Sequence, residues 1–296
     1  MNPKIPIAAI TDEFSPDLQI ALRAMRKIGM AAAELRVISG KNIMDLSGEE
    51  LEWARQIVSE LGFKVISIAS PLLKCVLPNS PEVDQRFQQD VFAAKYSFED
   101  QPKLAERAFA IAKRFDAKIV RVFSFWRTVQ PGKCLDAVVK ALSELAESAA
   151  KHDLIIGLEN EHACNIATAS ETARVLEVVK HPSLMVVWDP ANAYVAGEDP
   201  FPRGYRLLPA SRIQRLIVAG DNPVPRAISR TPSPAAASWL TAPTRSIGRS
   251  SARCAFSTRL SSMRVRSSAS VRMMAGIQSR PARIAAWSRR CPATTS

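Results

Sequence analysis

Two stretches of this sequence end in groups that could do chemistry together. Leu154-Ile155-Ile156-Gly157-Leu158 is an apolar run of strand length, and it delivers Glu159, Asn160, Glu161 and His162 in succession. Thirty residues on, Leu184-Met185-Val186-Val187-Trp188 delivers Asp189 and, three positions later, Asn192. Short continuous apolar runs mark strands buried on both faces, as in a parallel sheet. Parallel strands all end on one side, so acids from successive strands face one cavity. Two such carboxylates can share a divalent cation.

The elements that must hold these groups alternate along the chain. Residues 4–14 read as a buried strand ending in Thr11, Asp12 and Glu13. Ser15-Pro16 then reads as the cap and first-turn proline of a helix closed by Gly29. Residues 31–38 form a second strand candidate carrying Glu34 and Arg36. Ser47-Gly-Glu-Glu50 is a capping box for a helix running to Leu61. Residues 64–70 make a third strand. Residues 71–101, with Pro78, Pro81, Phe87, Phe92, Tyr96 and Phe98, read as an elaborated loop with a helical piece over the mouth of the fold.

A helix over 102–115, a strand over 117–126 and a helix over 133–152 follow, and the fifth strand is the 154–162 stretch. Thr168-Ala-Ser-Glu171 opens another capped helix, residues 184–188 give the sixth strand, and a seventh begins at Arg212. Units of about 30 residues predict a (β/α)₈ barrel, for which eight would fill about 250 residues. No glycine-rich phosphate turn follows the first strand, which argues against a dinucleotide-binding sheet.

The grammar fails from about Arg215. All 28 acidic residues lie before residue 222. From 222 to the end there are 13 arginines and no lysine, aspartate or glutamate, whereas the first 221 residues hold 27 basic groups against 28 acidic ones. The formal charge of +12 therefore belongs to the last quarter. The expected division is a barrel of about six and a half units over 1–214 and an Arg/Ser/Ala/Pro-rich segment over 215–296, without a packed core or translated out of frame. Five cysteines without CxxC spacing predict reduced thiols. No apolar run reaches the roughly 18 to 20 residues of a membrane span, and the start lacks a signal-peptide centre, so a cytoplasmic location is expected.

The motifs GLENEHACN (157–165) and VVWDPANAYVAGEDP (186–200), with VRVFSFW (120–126) upstream, resemble the sugar phosphate isomerase and epimerase family of xylose isomerase-like barrels. The resemblance covers roughly residues 4 to 214. It implies a TIM barrel whose divalent metal (Mn, Mg, Co or Zn) is held by a glutamate, an aspartate, a histidine and a second glutamate from four strands. Glu159 and Asp189 match the first two. The histidine belongs after Gln214 on strand seven and the last glutamate at the end of strand eight. This chain reads Arg215-Leu216-Ile217-Val218 at the first place, and no glutamate follows Glu198.

The implied reaction is proton abstraction next to the carbonyl of an open-chain sugar or sugar phosphate, with Glu159 as base as well as ligand. His162 and Asn192 are candidates for holding sugar hydroxyls, Glu161 for supporting the site, and Glu34, Arg121 and Trp126 for lining the pocket. His152 and His181 precede their strands and are expected to be structural. Two other readings stand beside this one. A non-catalytic or degenerate barrel would follow from the missing ligands. A basic tail could bind nucleic acid, but a related abasic-site endonuclease would need histidines where Ala69-Ser70, Ser124-Phe125 and Asn192 stand. The expected partner is a small sugar or another copy of the chain, with no membrane and no nucleic acid.

Overall fold

The computed structural model describes residues 7–87 and 96–217. Seven parallel strands form one sheet: β1 (Ala8–Ile10), β2 (Ala32–Leu35), β3 (Lys64–Leu72), β4 (Ile119–Val122), β5 (Ile155–Glu159), β6 (Leu184–Trp188) and β7 (Ile213–Leu216). Each strand pairs with the one before it in the chain, so spatial order equals sequence order. This is the topology expected of a barrel wall, built unit by unit from right-handed crossovers.

The helices between them are α1 (Leu18–Lys27), α2 (Gly48–Glu60), α3 (Gln101–Arg114), α4 (Leu135–Ala150) and α5 (Ala169–Val178); a short α6 (Pro190–Val195) follows β6. Each long helix buries one stripe. In α4 it is Val138, Leu142, Leu145, Ala146 and Ala149, the spacing of a single helical face. Both capping boxes read from the sequence are present, Ser47 with Glu50 and Thr168 with Glu171. The first helix differs. Its cap is Asp17, whose side chain accepts from Ile20 N, while Ser15 Oγ accepts from Asp17 N ahead of the helix.

Charged side chains show that the sheet curls. Glu34 of β2 lies 4.0 Å from Arg121 of β4, and it also forms an ion pair with Arg215 of β7. Strands two and seven stand five places apart in the sheet, so only a concave wall brings their inward residues together.

Four strands are shorter than the sequence pattern indicates. The expected 4–14 strand stops at Ile10, where Thr11–Glu13 turn into a 3-10 helix, and the expected 154–162 strand stops at Glu159. The expected 31–38 strand stops at Leu35, where Arg36 turns to pair with Asp12 at 2.8 Å. The chain then makes a small antiparallel hairpin, Val37–Ile38 against Lys41–Asn42, turned by Ser39 and Gly40 at positive φ. The expected 117–126 strand narrows to β4. Residues 123–126 leave the ladder, and Phe125 adopts a φ of 62°. At the other end of the chain, Arg215 and Leu216 belong to β7, two residues past the point where strand patterning fades.

Phe92 of the 71–101 loop, any eighth strand and the segment from 218 onward lie outside the described residues. Among the described residues no helix is long and apolar enough to cross a membrane.

Candidate active site

Glu159 is the last residue of β5 and is only 5% exposed. Its Oε2 lies 3.1 Å from Arg121 Nη1. Arg121 is opposite Gly157 in the β4–β5 register, and a glycine there matters because the space is already taken. A Cβ on residue 157 would meet Val187 Cγ2 at 2.7 Å and Ile119 Cγ2 at 3.2 Å. Arg121 lies over the Phe123 ring, 4.9 Å from its centroid, and shares its charge between Glu159 and Glu34. Burial pushes the Glu159 carboxyl up to about 7; Arg121 opposes this, and the charges of Glu161 and Asp189 reinforce it.

A second group gathers around Asp189. Its Oδ1 accepts from Ala191 N at 2.7 Å and Asn192 N at 3.2 Å, capping α6, and its Oδ2 accepts from Asn192 Nδ2 at 3.1 Å. Asn192 Oδ1 in turn stands 2.6 Å from His162 Nδ1, which is also 2.8 Å from Glu161 Oε1. Lys74 Nζ stands 3.5 Å from Glu161 Oε2 and over the rings of Phe123 and Trp126, at 4.5 and 5.6 Å. Asn160 ties the two strand ends together. Its Oδ1 accepts from Asp189 N and its Nδ2 donates to Asp189 O, both at 2.7 Å.

The titrations follow from these contacts. Burial raises Asp189 to about 6, against the hydrogen bonds it accepts from Asn192 and Ala191. Burial also acts on Glu161, but the hydrogen bond from His162 and the charge of Lys74 outweigh it and hold the carboxyl down at about 2. The same hydrogen bond raises His162 above its ordinary value, against burial.

All eight residues singled out from the sequence lie in these clusters. Glu159, Arg121 and Glu34 form one, and Asp189, Asn192, His162 and Glu161 form the other, with Trp126 over Lys74 beside it. Lys74 and Arg215 were missed. A lone cation inside the apolar run Pro71–Leu77 was the available signal for Lys74. Of the two histidines expected to be structural, His152 lies against Phe109 and Lys113, and His181 Nδ1 accepts from Ser183 N.

Among the described residues the donor set for a metal ion is incomplete. Glu159 and Asp189 are on neighbouring strands. However, Asp189 spends both oxygens on hydrogen bonds, and Glu159 faces Arg121. Strand seven presents Arg215 where a third ligand would come, and among the described residues no group of three or more His, Cys, Asp or Glu side chains is disposed to hold an ion. Glu159 Oε2 and both oxygens of Glu34 are buried and accept no hydrogen bond among the described residues; their neighbours are the guanidinium groups of Arg121 and Arg215.

A profile of the xylose isomerase-like TIM barrel family matches residues 22–227. No curated protein sequence matches the chain. Among solved structures, a xylose isomerase-like TIM barrel/4-hydroxyphenylpyruvate dioxygenase fusion protein aligns with a TM-score of 0.55 and 21% identity. The alignment takes in 72% of this chain and 31% of that one, so this chain spans about a third of the fusion. A D-psicose 3-epimerase, crystallised in the presence of D-fructose, aligns with a TM-score of 0.52 and 15% identity over 71% of both chains. The IolI protein with a bound zinc atom gives 0.54 and 16% identity over 71% of this chain and 70% of its own. At these identities the structures speak for the fold, and the profile, which takes in well over half of the sequence, fixes the membership: this chain belongs to the xylose isomerase-like TIM barrel family.

Proposed function

We propose that the rim around Glu159 and Asp189 binds an open-chain sugar or sugar phosphate, and that Glu159 moves the proton on the carbon next to its carbonyl, the chemistry of an isomerase or epimerase. The observation that carries this reading is Glu159 itself, a buried carboxylate pushed up to about 7 beside an arginine. A base works best when its pKa lies near the working pH, and a carboxylate near neutrality meets that condition. Removing such a proton leaves negative charge on the carbonyl oxygen. Arg121 and Lys74 are the buried cations of the site that can stabilise it, in surroundings of low dielectric.

The resemblance read from the sequence implies a divalent cation for that task. Glu159 and Asp189 supply two donors toward one, but the described residues do not complete a centre, so no step is assigned to a metal here. This disagreement favours a second reading, in which the barrel binds a sugar without turning it over.

Proton NMR of full-length protein with candidate ketoses and aldoses in D2O, with and without added Mn2+, tests both. The expected result is loss of the C–H signal next to the carbonyl, slowed at least about a hundredfold in Glu159→Gln. Saturable sugar binding without exchange selects the second reading, and the absence of both binding and exchange refutes the two together.

A further inference from the structure

The hydrogen bonds around His162 settle which ring nitrogen carries its proton. Nδ1 faces two acceptors, Asn192 Oδ1 at 2.6 Å and Glu161 Oε1 at 2.8 Å. Neither neighbour is free to change roles. The Asn192 amide cannot flip without loss, because its Nδ2 donates to Asp189 Oδ2. Glu161 is held on one oxygen by Ala163 N, at 3.4 Å, and on the other by Lys74 Nζ, at 3.5 Å. Two acceptors converging on one nitrogen require a hydrogen there, so neutral His162 is the Nδ1–H tautomer and its lone pair is on Nε2. Among the described residues Nε2 has no hydrogen-bond partner, and the side chain is 36% exposed at the rim. A carboxylate that orients an imidazole through one nitrogen leaves the other ready for proton transfer.

We infer that His162 is the oxygen-side acid and base of this site, working through Nε2 while Glu159 handles the carbon-bound proton. The inference rests on the sugar reading above. In the first half, the Glu159 carboxylate takes the proton from the carbon beside the carbonyl. The freed pair forms the C=C bond, and the carbonyl π pair moves to oxygen, which takes the Nε2 proton of the imidazolium. In the second half, the neighbouring hydroxyl gives its proton to Nε2 and its electron pair forms the new C=O. The C=C pair then takes the Glu159 proton at the former carbonyl carbon. The sugar is isomerised, both side chains return to their starting states, and no outside oxidant or reductant is used.

Two measurements test this. In full-length protein labelled with 15N-histidine, long-range proton–nitrogen correlation reports the tautomer, and His162→Gln assigns the signal among three histidines. In a pH series taken up to where the ring is neutral, the expected pattern is a proton on Nδ1 and an acceptor Nε2, shifting toward Nε2–H in Glu161→Ala; a neutral Nε2–H form in the wild type overturns the inference. With D-fructose in D2O as the probe, His162→Gln is expected to slow formation of the isomer about a hundredfold, while exchange of the carbon-bound proton falls far less. Equal loss of both, in a variant with unchanged urea midpoint, assigns His162 a positioning role and overturns the proposal. The expected tautomer in a wild-type protein that neither exchanges nor isomerises any sugar refutes the sugar reading, and with it the chemical role of His162.

Discussion

Glu159 is pulled in opposite directions by burial and by Arg121, and the balance has a measurable sign. A carboxyl whose pKa is higher in the fold than in the unfolded chain binds more protons when folded, so stability falls as pH rises between the two values. The window is 4.5 to about 7 for Glu159 and 3.8 to about 6 for Asp189. Glu161 runs the other way. Its contribution is present above 4.5 and disappears as pH drops toward 2. His162, raised by Glu161, adds stability below 6.5 that is lost as pH climbs through its folded value. Urea unfolding between pH 5 and 6.5 isolates the carboxyl effect. The wild type should lose stability across that interval, with Glu159 contributing on the order of 2 kcal/mol, and Glu159→Gln should flatten the slope; an unchanged slope means that Glu159 is already ionised at pH 5. The existence of this acid at a strand end was legible in the sequence. Arg121 and Glu34 were legible as pocket residues, but their pairing was not, because Arg121 lies 38 residues upstream of Glu159 and meets it only through the pairing of neighbouring strands, and Glu34 is further still.

Among the elements, β5 depends on Gly157. The glycine's inner side is filled by Val187 of β6 and Ile119 of β4, with contacts too short for an added methyl group. Gly157→Ala must therefore push neighbouring strands apart or twist β5, at a cost of about 1–3 kcal/mol, and Glu159 moves with the strand. Urea denaturation gives the first effect and the C–H exchange assay the second; a fully stable, fully active variant shows that the wall yields. Helix starts were legible because capping is local: Ser47 with Glu50 and Thr168 with Glu171 are three residues apart and behave as read. Another cap was hidden. Glu198, noted only as the last glutamate, accepts from Ala169 N at 2.6 Å and Ser170 N at 3.1 Å and so reinforces the start of α5 from 28 residues away. The first, second, fourth and fifth strands were overread: Thr11–Glu13 form a 3-10 helix, the fifth strand ends at Glu159, and apolar residues continue past the points where Arg36 turns to Asp12 and Phe125 takes positive φ.

For the whole molecule, the parallel wall was legible as six repeats of strand and helix, and the seventh strand confirms the period. The family profile ends at residue 227. Beyond it arginine is the sole charged residue type in the sequence. We propose that this composition records a reading-frame change near codon 214. The coding DNA is expected, in one of its other frames, to encode a histidine soon after that codon and a glutamate further on; if neither alternative frame does so, the proposal fails.

Sheet order that equals chain order has a consequence for biogenesis. As the polypeptide leaves the ribosome, every new strand finds its only earlier neighbour already made, and no strand waits for a distant segment to arrive. Local pairing of this kind keeps loop closures short. A change late in the gene therefore leaves the assembly of the first six strand-helix units, and with it the rim of Glu159 and Asp189, to proceed as before.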